Sequence, residues 1–331
     1  MSRARVVLRR GGVVESTHLV SAALVDARGR LVAWAGELDR IAFVRSAAKP
    51  FQALAWVDAG VADAFGVTDV ELALACGSHN GETAQVRAVA RWLRRVGGRV
   101  RDLACGPHLP LHAPTARALL RRGRRPSRLH NNCSGKHTGM IAWARHAGWP
   151  VEGYHRADHP LQERVRRALA RWSDTDAFPL AVDGCGVPTY ALPLDRIALA
   201  FARLAVAART EPGSAAGRVV AAMVRQPYYV AGRERLCTDL MEAAGGGLVA
   251  KVGAEGVYGV ALLDRGEGLA LKVEDGARRA VAPAVLAFLA QADRLGAGVL
   301  ERLRGYQRPA VRNTRDDVVG VLEPEIDVRY A

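Results

Sequence analysis

Apolar and polar positions change their rhythm along this chain. Over the first 45 residues they alternate or run apolar, as in His18-Leu19-Val20-Ser21-Ala22-Ala23-Leu24-Val25 and Leu31-Val32-Ala33-Trp34, with Ala27-Arg28-Gly29-Arg30 as the turn between. A two-residue period places one face of a pleated ribbon in the core, so this stretch predicts the strands of a meander. From Pro50 the spacing becomes that of amphipathic helices. The first runs over residues 50–58, with Gly60 beyond its end. Thr68-Asp69-Val70-Glu71 is a capping box and opens a helix to about Cys76. A polar loop follows, then a long amphipathic helix to Val96 that ends at Gly97-Gly98. Residues 103–129 read as a loop holding a short helix begun by Pro114. Further helices are predicted up to about Gly148, from His159-Pro160 to Trp172, and over residues 194–206, 215–225 and 235–244. Residues 181–188 read as a strand end that breaks into a loop. Gly245-Gly246-Gly247 then releases the chain into strands at 248–252, 257–263 and 269–273, and a helix over 280–295 and a short strand at 318–322 close it. Strands, then many helices, then consecutive strands predict an α+β fold, with a largely antiparallel sheet flanked by helices. With no repeat or linker in view, residues 1–331 are expected to form a single catalytic unit, its N-terminal and C-terminal strands in one sheet and a helical region between.

Composition narrows the class. Half of the 331 residues are hydrophobic and 24% are charged, as in a globular chain with a large core. No run approaches the ~18 apolar residues of a membrane span, and the opening Met1-Ser2-Arg3-Ala4-Arg5-Val6-Val7-Leu8-Arg9-Arg10 is interrupted by charge before a signal-peptide core forms. The expectation is a cytoplasmic protein with no membrane partner. The formal net charge of +14 raises nucleic acid as a partner. The dense basic runs, 91–101 and 121–128, lack interleaved aromatics, and Arg91, Arg94 and Arg95 fall opposite Val86, Val89, Leu93 and Val96 on a helical projection. That is the pattern of a solvated helix face, so no nucleic-acid partner is expected.

The candidate chemistry begins with a scarcity. Of 47 basic residues only four are lysine, at 49, 136, 251 and 272. Arginine stays charged in a protein, whereas a desolvated lysine near other cations can act as a neutral base or ligand. In Arg45-Ser46-Ala47-Ala48-Lys49-Pro50 the spacing of three puts Ser46 and Lys49 on one face of a helical turn, where a neutral Lys49 would take the Ser46 proton. Pro50 biases Lys49 away from the helical region, so this is a tight entry turn as readily as regular helix. A second polar concentration, His130-Asn131-Asn132-Cys133-Ser134-Gly135-Lys136-His137, runs into an apolar helix. Five cysteines, an odd number scattered at 76, 105, 133, 185 and 237, are no disulfide framework. Cys133 and Cys185 sit in glycine-containing loops and can converge on a zinc ion as thiolates, while Cys237 lies on an apolar helix as a small hydrophobe. Spacing alone names His137 as the third ligand, because a lysine must lose its proton to bind.

Together these stretches, with Cys76-Gly77-Ser78-His79-Asn80-Gly81-Glu82, Asp183-Gly184-Cys185-Gly186 and Lys251-Val252-Gly253-Ala254-Glu255-Gly256, resemble the thermolabile, inducible L-asparaginase family first met in rhizobia. The resemblance spans most of the chain. It implies a fold similar to serine β-lactamases and glutaminases, and two Ser–Lys pairs, Ser46 with Lys49 and Ser78 with Lys251. It also implies a zinc site on Cys133, Lys136 and Cys185, and a homodimer. On that basis the chain is expected to hydrolyse L-asparagine to aspartate and ammonia through a serine nucleophile, with Ser46 preferred and Ser78 left open. Backbone N–H groups after Ser46 are the expected oxyanion donors. Arg45 is expected to hold a substrate carboxylate, His137 and Asp183 to contact substrate or support the ligands, and His79, His108 and His112 to hydrogen-bond within their loops. A glutaminase on the same scaffold, and a zinc-stabilised basic nucleic-acid-binding protein without catalysis, are the alternatives.

Overall fold

A computed structural model describes residues 4–176 and 178–331. The described chain opens with strands β1 (Ala4–Arg10), β2 (Val13–Asp26), β3 (Leu31–Ala35) and β4 (Ile41–Phe43). A 3-10 turn, Arg45–Ala48, leads into helices α1 (Lys49–Asp58), α2 (Val61–Ala64), α3 (Asp69–Cys76), α4 (Thr83–Arg95), α5 (Ala113–Arg121), α6 (Ser134–His146) and α7 (Pro160–Ser173). The hairpin β5 (Leu180–Val182) and β6 (Pro188–Pro193) precedes α8 (Leu194–Thr210), α9 (Ala215–Arg225), α10 (Pro227–Val230) and α11 (Leu236–Ala243). Strands β7 (Leu248–Val252), β8 (Val257–Leu262) and β9 (Glu267–Val273) follow, then helices α12 (Arg278–Gln291), α13 (Ala297–Arg302) and α14 (Arg304–Gln307). Strands β10 (Ala310–Arg312), β11 (Val318–Ile326) and β12 (Arg329–Tyr330) end the chain. By its contacts the chain divides into two compact units. The first holds the chain up to Ala47, Ala191–Val206 and everything from Asp239 onward; the second holds Ala48–Tyr190 and Ala207–Thr238.

The first unit is built on an antiparallel sheet of order β10-β11-β1-β2-β9-β8-β7, with β3 also on β2 and β12 on β3. Strand β2 is long enough to change partners: Val13–Leu19 pairs with β1, and Val20–Asp26 with β9. From Val20 to Val25 its alternation gives way to continuous burial, the mark of a strand covered on both faces. Helix α12 packs against β11, β9 and β1. The start of α8 presses on β8 and β9 so closely that only glycine fits there: a Cβ at Gly268 would lie 2.0 Å from the Ala198 carbonyl oxygen, and one at Gly259 2.1 Å from the Phe201 ring. Strand β11 runs past the predicted 322 through Pro324. The outer edge of β11 is bonded only as far as Leu322, whose N–H donates to Pro309 O at 3.0 Å, so at Pro324 there is no ladder bond on that side for a proline to break.

The second unit is helical, and α3 is its hub, in contact with α1, α4, α6, α9 and α10. Thr68 caps α3: its Oγ1 accepts the Glu71 N–H and Glu71 Oε2 accepts the Thr68 N–H. Helix α6 is buried from Ser134 to Ala144, which is the condition of a helix without a solvent stripe. It lies close against α3 because position 135 has no side chain; a Cβ there would come 2.4 Å from the Leu74 carbonyl oxygen. Helix α4 buries Val89 and Leu93 and leaves Arg91, Arg94 and Arg95 exposed, as its projection predicts. No helix among the described residues is long and apolar enough to cross a membrane. The molecule is α+β, with an antiparallel sheet and flanking helices.

Candidate active site

In the second unit the loop after α3 brings Ser78 to Lys49, the first residue of α1. Lys49 is 1% exposed and its Nζ contacts Gly77 O at 2.5 Å, Ser78 Oγ at 3.0 Å and Asn132 O at 3.3 Å. Carbonyl oxygens only accept, so a neutral amine there can give its two hydrogens to Gly77 and Asn132 and point its lone pair at the Ser78 hydroxyl. An ammonium gives its third hydrogen to the same oxygen. A proton can therefore pass between Ser78 and Lys49 without rearrangement.

The loop itself is tied down on both sides. The Ser78 N–H donates to Val230 O at 2.7 Å, and the Arg235 guanidinium donates to Asn80 Oδ1 at 2.8 Å. Glu82 is buried, and its Oε1 accepts from Asn80 Nδ2 and from the Arg233 N–H. His79 is fully buried, with its Nδ1 accepting the Gly81 N–H at 3.1 Å. Its Nε2–H therefore donates to Ser134 Oγ at 2.9 Å, and Ser134 in turn donates to Leu129 O. Burial first, then the nearby Lys49 charge, lowers the His79 pKa to about 3. His108 accepts from the Asn132 N–H and lies 2.6 Å from Leu109 O, and His112 contacts Thr115 Oγ1 at 2.8 Å. All three histidines thus hydrogen-bond within their loops. Residue order alone did not reveal Arg235 or Glu82 as supports of the Ser78 loop; an arginine among 43 carries no signal of its own.

A second cluster of the same unit joins Cys133, Lys136 and Cys185. Cys133 caps α6, its N–H held by Asn131 Oδ1 at 2.9 Å, and Lys136 follows one turn later. Cys185 sits in the β5–β6 hairpin turn, closed by Gly186 N–H to Asp183 O at 2.8 Å with Gly186 at φ +90°. Lys136 Nζ lies 2.9 Å from Cys185 Sγ. The hydrogen bond from Cys133 lowers the Cys185 pKa to about 5 against the opposing effect of burial, with the Lys136 ammonium assisting and the Asp183 carboxylate opposing. The same bond, together with burial, pushes Cys133 up to about 12. The proton of the pair is thus favoured on Cys133, and Lys136 is raised by both sulfurs against its burial. His137 places its Nδ1 2.6 Å from Tyr154 Oη, and its Nε2 is buried without a hydrogen bond. Among the described residues no three His, Cys, Asp or Glu side chains form a metal cluster, so a metal here depends on the lysine as a donor. Cys185 touches both the Lys136 amine and Cys133, and two thiol sulfurs with one amine are a donor set that a zinc ion with three protein ligands would accept if the lysine gave up its proton.

The remaining candidates belong to the first unit. Arg45 adopts φ +47°, a left-handed conformation uncommon for a side-chain-bearing residue, directly before the half-buried Ser46. Ser46 lies in the 3-10 turn rather than in regular helix, the tight entry its proline-flanked lysine allows. Of the expected oxyanion donors, the Ala47 N–H is already given to Val44 O at 3.1 Å and Pro50 has none. Lys251 on β7 is fully buried and donates to Val252 O at 2.6 Å. Lys272, whose role the sequence left open, donates to the carbonyls of Glu255, Val273 and Glu274, closing the turn after β7 onto the end of β9.

No curated protein matches the chain. Among solved structures it is similar to Mglu in its native form, with 18% identity over 83% of this chain and 64% of that one, at a TM-score of 0.46. It is also similar to Mglu in its native form in the presence of 4.3 M NaCl, with 20% identity over 83% of this chain and 61% of that one, at a TM-score of 0.38. The chain therefore spans less than two thirds of the Mglu length. The family model of L-asparaginase II matches residues 6–324, nearly the whole sequence, and by that match the chain belongs to the L-asparaginase II family, a family of amidohydrolases.

Proposed function

We propose that the protein is an L-asparagine amidohydrolase that works through a serine ester. The observation that carries this reading is the buried amine of Lys49, held between two carbonyls and the Ser78 hydroxyl in a chain of an asparaginase family. In this mechanism Ser46 attacks the side-chain amide carbon and its proton passes to Lys49, one turn along the chain, whose lone pair turns from the Ser78 hydroxyl to accept it. The tetrahedral adduct expels nitrogen, which takes the Ser78 proton and leaves as ammonia, while Lys49 returns a proton to Ser78. Water then cleaves the β-aspartyl ester by the same route in reverse, releasing aspartate. Two features favour Ser46 over Ser78 as the nucleophile. Ser46 is half-buried where Ser78 is only 3% exposed, and it follows a strained residue, whose cost of about 1–3 kcal/mol is typical of functional sites. Lys251 is assigned to Ser78 as its second cation. Arg45 is assigned to the substrate carboxylate and Asp183 to its amino group.

Zinc would be held by Cys133, Lys136 and Cys185, with Lys136 giving up its proton to bind. When bound, it supplies positive charge that orients the polar end of the substrate. Ammonia release from asparagine and glutamine, measured side by side with wild type and Ser46→Ala, tests the whole reading. Asparagine should be hydrolysed faster by wild type and not at all by the variant. Equal rates on both amides would replace asparaginase by a general amidohydrolase, since one methylene discriminates by only about 1–3 kcal/mol.

A further inference from the structure

The second unit carries a cavity whose lining includes none of the serines and lysines proposed for the amide chemistry. It has a volume of about 880 Å³ and is lined by Arg99, Arg101, Arg128 and Arg145, with Tyr154 and His155 among the other wall residues. That volume lies in the range of small-molecule sites and exceeds what an amino acid needs. Among the described residues none of these four guanidinium groups forms an ion pair, whereas many arginines elsewhere on the chain do. Two of them are held in place by backbone carbonyls: Arg145 donates to Gly97 O at 2.9 Å, and Arg128 donates to Arg101 O at 3.0 Å and to Leu103 O. The carboxylates on the wall are Asp102 and Glu152. Asp102 is occupied in accepting the Arg99 N–H at 2.8 Å, and Glu152 is exposed. The inner wall is firm, since Tyr154 is buried and its Oη accepts the Ala104 N–H at 2.9 Å.

Four arginines lining one space, two of them with their guanidinium groups already fixed, supply fork-shaped donors suited to phosphate oxygens. We propose that this cavity is a binding site for a small anion carrying at least two linked phosphate groups. The diphosphate is the shared chemistry; a nucleoside diphosphate and an inorganic polyphosphate are its two sources.

Calorimetric titration of the full chain at low ionic strength with inorganic pyrophosphate, ADP and citrate tests the site. The variant is R99Q/R101Q, because both residues are exposed and neither guanidinium makes a hydrogen bond or ion pair among the described residues. Pyrophosphate should bind wild type, and R99Q/R101Q should weaken it by about tenfold or more, the scale of lost charge-assisted hydrogen bonds. Ammonia release should be unchanged, and the exposed pair R121Q/R122Q outside the cavity should bind as wild type does. Tighter binding of ADP than pyrophosphate marks a nucleotide source, and equal binding marks the inorganic one. The proposal is overturned by absence of binding, by equal affinity in R99Q/R101Q and wild type, or by citrate binding as tightly as pyrophosphate. It is also overturned if a single-stranded oligonucleotide binds through the same arginines more tightly than either phosphate.

Discussion

All four lysines of the chain are buried, between 0% and 8% exposed, in a protein that meets solvent with arginine. That contrast was visible as a count, and it picked out Lys49, Lys136 and Lys251 before any geometry. What the count could not show is that Lys49 bonds a serine 29 residues away, because sequence spacing reports only neighbours along one turn. Lys49→Arg keeps the charge but cannot become a neutral base, so asparagine turnover should fall about 10²–10⁴-fold, the usual share of general-base catalysis. Turnover within a few-fold of wild type would place the base elsewhere. The thiol cluster shows the same limit: imidazole is the commoner zinc ligand, yet it is Lys136 that touches Cys185 while His137 bonds Tyr154. Purified protein should carry about one zinc per chain, lost in Cys133→Ser and Cys185→Ser but largely kept in His137→Ala. Elemental analysis showing zinc loss in His137→Ala with retention in Lys136→Ala would return the histidine to the ligand set.

At the scale of elements, long periodic segments were legible and short ones were not. Helices α3, α4, α7 and α9 lie within a residue or two of their predicted limits, since each has a cap or a two-faced pattern over several turns. Strands β4, β10 and β12 and helices α10, α13 and α14 are two to six residues long, too short for a period to repeat, and neighbouring elements alone define them. Glycines were legible as breaks but not as contacts. Gly135 stands inside a helix, where glycine is normally a cost, and its reason is the closeness of α6 to α3. Gly135→Ala should therefore destabilise the chain by about 1–3 kcal/mol, as overpacking does. Gly298→Ala in α13, where a Cβ meets nothing within 4 Å, should be neutral or stabilise by up to about 1 kcal/mol. Urea midpoints that move equally in the two variants would remove the close-approach argument for Gly135.

Over the whole molecule, the first unit draws its sheet from both ends of the chain, pairing β1 with β11 across more than 300 residues. No periodicity within a window reports such pairings; the order of strands, helices and strands only suggested them. The second unit buries polar groups around its candidate site, and that burial has a consequence for acid stability. His79 is held neutral in the folded chain, its pKa lowered to about 3 from the usual 6.5 by desolvation and then by Lys49. Between those values the unfolded chain binds a proton at His79 that the folded chain refuses, so stability rises with pH there and is lost as pH falls from about 6.5 toward 3. The contribution is whole above 6.5, and its slope approaches about 1.4 kcal/mol per pH unit for one such group. His79→Asn removes the titration while keeping a side chain able to accept from Gly81 and donate to Ser134. Urea midpoints measured from pH 7 to 4 should fall more steeply for wild type than for His79→Asn, even where the variant is the less stable protein at neutral pH. Parallel curves would mean that His79 is protonated with little penalty in the native state, and that its Nδ1 does not accept the Gly81 N–H as its contacts indicate.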